Sequence, residues 1–306
     1  MALSLSASTP NGARRIPLAI VLLAIAVGGC APDATPQAAR RADVGADSSS
    51  ENSREPSNVV NVVTRDYAFQ MPDTIPSGLT TFDLHNEGKE PHHLMLYRLD
   101  DGKTIHDAFA ALDAGGAHPV WMHAAGGPNA VPSGGESIAT LVLAPGSYVV
   151  FCHVKSPDGR IHFMKGMLKG ITVVRTAPAS AASPEVLAGA DITITLRDYS
   201  FEFSQPPARG KHLIAVTNAG SQRHELILSL LQPGKTSRDF VTWMDTQNGP
   251  PPVTPYGGIT DIEPGRTVLI PVELKSGNYS VVCRVRDAGD DAPHDRHGML
   301  ADFTVR

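Results

Sequence analysis

The sequence predicts an all-β protein, built as two tandem Greek-key β-sandwich domains that each carry a short helical insertion. Three observations predict it. From Asn58 the chain breaks into short apolar runs, among them NVVNVV, TTFDL, HLMLY, ATLVL, YVVF and GITVV, punctuated by Gly, Pro and Asn. Short strands with frequent turn signals are the mark of a sandwich. The texture stops at the Ala/Pro/Ser-rich residues 176–189 and restarts at Ala190. The second stretch also repeats the first at an offset of 131 or 132 residues, as duplicated units do.

The chain has 306 residues, 42% hydrophobic and 19% charged. That suits roughly two globular domains. A formal charge of −5 is mild and argues against a nucleic-acid partner, for which a basic patch is expected.

Residues 1–29 read as an export signal. Arg14 and Arg15 precede the apolar run Leu18 to Val27, which is too short to span a bilayer. The run ends in Val27-Gly28-Gly29-Cys30, which resembles a lipoprotein signal whose Cys30 is lipidated and becomes the mature N-terminus. A plain secretory signal with a coincidental Cys is the alternative, and either exports the chain. Residues 30–57 lack hydrophobic periodicity and read as a disordered tether. The predicted domains are 58–175 and 190–306, with 176–189 as linker.

The repeat is visible along both domains. Arg65-Asp66-Tyr67-Ala68-Phe69 matches Arg197-Asp198-Tyr199-Ser200-Phe201, and Asn86-x-Gly88 matches Asn218-x-Gly220. Pro145-Gly146-Ser147-Tyr148 is echoed by Ser276-Gly277-Asn278-Tyr279. Thr104-x-x-Asp107 and Thr236-x-x-Asp239 resemble capping boxes. They predict short helices over about Ile105 to Leu112 and Ser237 to Trp243. Gly/Pro-rich segments follow, AAGGPNAVPSGG and NGPPPVTPYGG, and are expected to be loops covering one end of each sandwich.

Four chemistry-bearing residues recur in order. His92, Cys152, His162 and Met167 match His224, Cys283, His294 and Met299. Two imidazoles, a thiolate and a thioether are the donors of a type 1 copper centre. Only three Cys exist, so if Cys30 is lipidated each repeat keeps one. An isolated thiol in an oxidising compartment needs protection, and a metal supplies it. A single disulfide between Cys152 and Cys283 is the competing reading.

With these residues in view, the chain resembles two tandem cupredoxin domains of the plastocyanin/azurin family. Pro91-His92 resembles the family's ligand turn. C-x9-H-x4-M (Cys152, His162, Met167) and C-x10-H-x4-M (Cys283, His294, Met299) resemble its ligand loop. Arg223 departs from the pattern at the position of Pro91, and the charged loop RVRDAGDDAP is long, so the second copper site matches the family less closely. The resemblance implies one type 1 copper per domain and an exposed ligand edge at His162 or His294.

Rival donors are His93, whose counterpart is Glu225, and Met164 and His297, which have none. His153 is expected to face away from Cys152, and His85, His106, His118, His123 and His212 are read as solvated or structural. No two histidines lie two residues apart, and Phe151 and Val282 precede the cysteines. The family's trinuclear oxidase cluster and its nitrite-reducing copper therefore lack their motifs. The expected function is single-electron transfer with an unknown redox partner protein, by a lipoprotein facing the periplasm or cell exterior. Copper storage or delivery is the alternative, and a two-domain copper oxidoreductase stands behind it.

Overall fold

A computed structural model describes residues 58–116, 118–176 and 189–306. The export signal, Cys30, the tether and nearly all of the linker lie outside the described residues. No described helix is long and apolar enough to cross a membrane.

The described chain is mostly strand, in two sheets, as the apolar runs predict. The first half contributes β1 (Asn58–Arg65), β2 (Ala68–Gln70), β3 (Thr74–Pro76), β4 (Gly78–Asn86), β5 (Met95–Leu99), α1 (Ile105–Ala114), β6 (Met122–Gly126), β7 (Glu136–Leu143), β8 (Gly146–Phe151) and β9 (Leu168–Val174). The second contributes β10 (Ile192–Arg197), β11 (Ser200–Phe203), β12 (Gly210–Asn218), β13 (His224–Leu231), α2 (Ser237–Thr246), β14 (Val253–Ile262), β15 (Thr267–Leu274), β16 (Gly277–Val282) and β17 (Leu300–Val305). A short 3₁₀ turn precedes the last strand of each half, at His162–Lys165 and His294–His297.

Alternation sets the faces. In β1, Val60, Val62 and Thr64 point inward while Val59 stays exposed. The inward faces of both halves share a core that contains Phe82, Leu84, Leu94, Leu226, Ile259 and Tyr279, together with Cys152, Met167, Cys283 and Met299. The repeated turn tyrosines anchor the strands that lead to the cysteines. Tyr148 Oη donates to Ala144 O at 2.8 Å and Tyr279 Oη to Lys275 O at 3.0 Å.

Both helices begin with the expected reciprocal cap. Asp107 N donates to Thr104 Oγ1 at 3.2 Å, and Thr104 N returns a bond to Asp107 Oδ2 at 2.9 Å. Thr236 and Asp239 repeat the pair at 3.3 and 2.9 Å. The helices run two or three residues past the expected ends. Ala108 and Leu112 of α1 pack beside Phe151 and Phe163, and Phe240 and Val241 of α2 pack beside Val282.

The Gly/Pro-rich segments are only in part loops. The first holds the end of β6 and the second the start of β14, strands that meet across the halves. β14 meets β6 at Ile262↔Ala125 and β15 meets β7 at Leu269↔Thr140, so each sheet continues across the boundary, one with eight strands and one with nine. Glycine is needed there for close approach rather than for a turn. A Cβ on Gly126 would lie 2.8 Å from Ile262 Cγ2, and one on Gly257 2.9 Å from Ser137 Oγ, each across the boundary.

Candidate metal centres

The first centre is positioned by backbone bonds. At the end of β4, Asn86 Oδ1 accepts from Gly88 N at 2.8 Å, while its Nδ2 donates to Glu90 O at 2.8 Å and Val131 O at 3.0 Å. This clamps the turn into His92, which bridges to Val131. Cys152 follows β8 directly. Its N–H donates to Met167 O at 3.1 Å, and Met167 N donates to His162 O at 3.0 Å. The loop 152–167 is thereby closed on itself, and its donors turn inward.

His92 Nδ1 and His162 Nδ1 lie 3.0 Å apart, with Cys152 Sγ 3.4 Å from His162 Nδ1. All three side chains are fully buried, as is Met167. The outer nitrogens are already engaged. His92 Nε2 meets Asp66 Oδ1 at 2.7 Å and His162 Nε2 meets Glu90 Oε2 at 2.9 Å. A carboxylate only accepts, so the network assigns a proton to each Nε2 and leaves two Nδ1 lone pairs facing each other. That contact is unfavourable unless a cation sits between them. Carboxylate-backed histidines are also the usual outer support of a metal ligand. Burial draws Asp66 and Glu90 upward, but hydrogen bonds from the Lys89 amide and His92, and from Tyr67, Ser156 and His162, hold both carboxyls below their ordinary values.

Burial pushes the Cys152 thiol up to about 12, although the His93 and Val154 amides oppose it. The metal-free thiol therefore keeps its proton, and a binding metal must displace it. Two imidazoles, one soft thiolate and a neighbouring thioether fit a type 1 copper ion.

The second centre repeats this frame. His224 Nδ1 and His294 Nδ1 are 3.0 Å apart, and Cys283 Sγ is 3.4 Å from His294 Nδ1 and 3.9 Å from His224 Nδ1. Asn218 clamps its turn as Asn86 does. His224 Nε2 meets Asp198 Oδ1 at 2.8 Å. Burial draws Asp198 up, but Ser221, His224 and the Gln222 amide outweigh it and hold the carboxyl at about 2. The support of the last histidine differs. Gln222 stands in the place of Glu90, and Asp287 in the place of Ser156. Asp287 Oδ2 is taken by Tyr199 Oη at 2.5 Å and Gln222 Nε2 at 2.7 Å. His294 Nε2 is buried 3.9 Å from that oxygen, without a hydrogen bond.

The expected exposed ligand edge is absent. His162 and His294 are fully buried, because an aromatic ring closes over each. Tyr67 meets His162 edge-on with centroids 5.0 Å apart, and Tyr199 meets His294 at 5.3 Å. Tyr67 Oη donates to Glu90 at 2.7 Å and Lys165 Nζ lies 4.1 Å from the Tyr67 ring centroid, completing the cover.

Cys152 and Cys283 are free thiols, each beside its own histidines, so the competing disulfide does not form. Among the rival donors, His93 Nε2 accepts from His153 N at 2.7 Å and is turned away from the cluster. Met164 packs with the α1 cluster, and His297 Nε2 meets Asp290 at 3.2 Å. His153 stacks on Phe163. His118 joins Tyr97 and Arg223 at the boundary of the halves, and His85, His123 and His212 pair with carboxylates. The supporting Asp66 and Asp198 were not singled out as site residues by the sequence reading, although the repeated Arg-Asp-Tyr motif holds both. Gly88 and Gly220 also belong to the site. A Cβ on either would lie 2.5 Å from the Asp oxygen behind the first histidine.

No protein-family model matches the chain, and no curated protein matches it. Among solved structures it is similar to a dithionite-reduced auracyanin from Roseiflexus castenholzii, at 22% identity over 39% of this chain and 98% of that one, with a TM-score of 0.28. It is also similar to a blue copper oxidase from Nitrosomonas europaea, at 14% identity over 82% and 86%, with a TM-score of 0.25. A copper-containing nitrite reductase from Thermus scotoductus SA-01 matches at 13% over 81% and 61%, with a TM-score of 0.22.

Proposed function

We propose that this protein is an exported, lipid-anchored copper protein with two domains, 58–175 and 190–306. Each binds one type 1 copper ion, through His92, Cys152, His162 and Met167 or through His224, Cys283, His294 and Met299. Its work is single-electron transfer to and from a partner protein. The observation that carries this reading is the pair of buried imidazoles whose inner lone pairs converge beside a cysteine while carboxylates occupy their outer N–H groups. Copper bound there supplies a Cu(II)/Cu(I) couple.

The chain's own residues do the rest. Asp66 and Asp198 fix the tautomer and ring orientation of His92 and His224. Amide N–H groups of His93 and Val154, and of Glu225 and Val285, are donated to the two sulfurs, which stabilises the thiolate and tunes the potential. Tyr67 and Tyr199 exclude water. Ligands held this rigidly limit rearrangement between oxidation states.

Complete burial of the ligands favours retention of copper over its release, and so favours electron transfer over delivery. The test is chelator competition combined with redox cycling. An electron carrier keeps its copper against a competing chelator and is reversibly reduced by mild reductants. Ready loss of copper to an acceptor, without reversible reduction, would establish delivery instead.

A further inference from the structure

The two centres approach the boundary of the halves through matching residues. His93 follows His92, and Glu225 follows His224. Both side chains are buried, and each accepts the backbone N–H of the residue after the cysteine. His153 N donates to His93 Nε2 at 2.7 Å, and Arg284 N to Glu225 Oε1 at 2.9 Å.

Asn129 stands between them, almost fully buried. Its orientation is fixed from both ends. Oδ1 accepts from Ala130 N at 2.7 Å, and Nδ2 donates across the boundary to Ile259 O at 2.9 Å. The same Nδ2 faces Glu225 Oε2 at 3.5 Å, the longest link of the set. On the other side Asn129 is a polar neighbour of His93. Because His93 Nε2 is an acceptor, its proton sits on Nδ1. A run of buried polar neighbours therefore extends from the peptide after Cys152, through His93, Asn129 and Glu225, to the peptide after Cys283.

We infer that Asn129 couples the two centres, so that a change in the ligand loop of one is felt in the cysteine loop of the other. The inference rests on the reading of both clusters as copper centres. Asn129 touches no ligand and acts as a positioning residue. Its hydrogen bonds are directional and buried, where the low dielectric strengthens them. Coupling of this kind is reciprocal, so each centre must shift the other's affinity by the same factor.

The experiment has two arms. In the metal-free protein, amide hydrogen exchange is followed at His153 and Arg284, neither of which bonds Asn129 directly. Asn129→Ala is expected to raise exchange several-fold at both amides. A rise confined to the neighbours of Asn129 in the first half would overturn the inference. Glu225→Gln is the gentler variant, because whichever way the new amide turns, it loses either Asn129 or the Arg284 amide.

In the second arm, Cu(II) affinity of the first centre is measured with and without Cys283→Ser. Losing the second centre is expected to shift it by at least about fivefold while Asn129 is present. After Asn129→Ala the shift should vanish. An equal shift in both backgrounds, or none in either, would overturn the coupling while leaving copper binding intact. If the unaltered protein takes up no copper, the proposed function falls, and the exchange arm alone decides the coupling.

Discussion

The two centres share a frame and differ in how the last histidine is supported. In the first, Glu90 reaches His162 Nε2 at 2.9 Å and is itself held by Tyr67. In the second, the carboxylate has moved to Asp287 on the cysteine loop, where Tyr199 and Gln222 occupy it and His294 Nε2 is left 3.9 Å away. The first histidine of each pair is treated alike, by Asp66 and by Asp198 at 2.7 and 2.8 Å. The inward donors thus repeat while the outer support diverges. The first centre is the more tightly fixed, and the two are expected to differ in affinity and potential.

The largest effect should come from the position after the first histidine. Burial, with Asp261 nearby, pushes Glu225 up from 4.5 to about 8. Burial, with His153 nearby, pushes His93 down from 6.5 to about 3. A raised carboxyl contributes stability fully below pH 4.5 and loses it as pH rises towards 8. A depressed histidine contributes fully above pH 6.5 and loses it as pH falls towards 3. Metal-free protein should therefore be most stable in the weakly acidic range between these limbs. Glu225→Gln should flatten the alkaline limb alone, by on the order of a few kcal/mol, measured by urea unfolding at about pH 5 and pH 8. An unchanged alkaline limb would show that Glu225 does not carry it.

Next in size are the shared aspartates. Asp66→Asn and Asp198→Asn should each weaken copper binding at their own centre by about 10–100-fold, and to a similar degree. A large inequality in chelator titrations would break the claim that this half of the support is equivalent.

The unlike support gives a smaller, one-sided effect. Glu90→Gln should cost the first centre about tenfold in affinity, while Asp287→Asn should cost the second less, since Asp287 does not bond His294. Combining Gln222→Glu with Asp287→Ser should rebuild the first arrangement in the second half and bring the two affinities together. Failure to converge would place the difference elsewhere, with Arg223 the next residue to test.

An effect comparable in size to that of the shared aspartates falls on stability. Gly88→Ala and Gly220→Ala should each cost about 1–3 kcal/mol in urea unfolding, because each new Cβ would meet a histidine–aspartate pair.

Much of this arrangement was legible in the sequence. The four inward donors of each half carry their chemistry in their residue types, and the backbone that closes the loop from Cys152 to Met167 is local. The capping boxes were legible for the same reason. What the sequence did not yield is long-range. Asp66 lies far from His92 along the chain, so its role appears only when β1 and β4 are paired. The burial of His162 depends on Tyr67, which is distant from it along the chain. The segments around Gly127 and Gly258 read as loops because Gly and Pro usually mark turns. Here the missing Cβ atoms of the adjoining Gly126 and Gly257 let the two halves approach, a use of glycine that composition alone does not separate from a turn.

The most direct test of the central claim is the visible spectrum and copper content of residues 31–306 after adding Cu(II). Two type 1 centres predict two copper ions per chain and an intense blue or green thiolate charge-transfer band. That band should weaken, but survive, in Cys283→Ser. No band, with no bound copper and with Cys152 and Cys283 titrating as free thiols, would contradict the account.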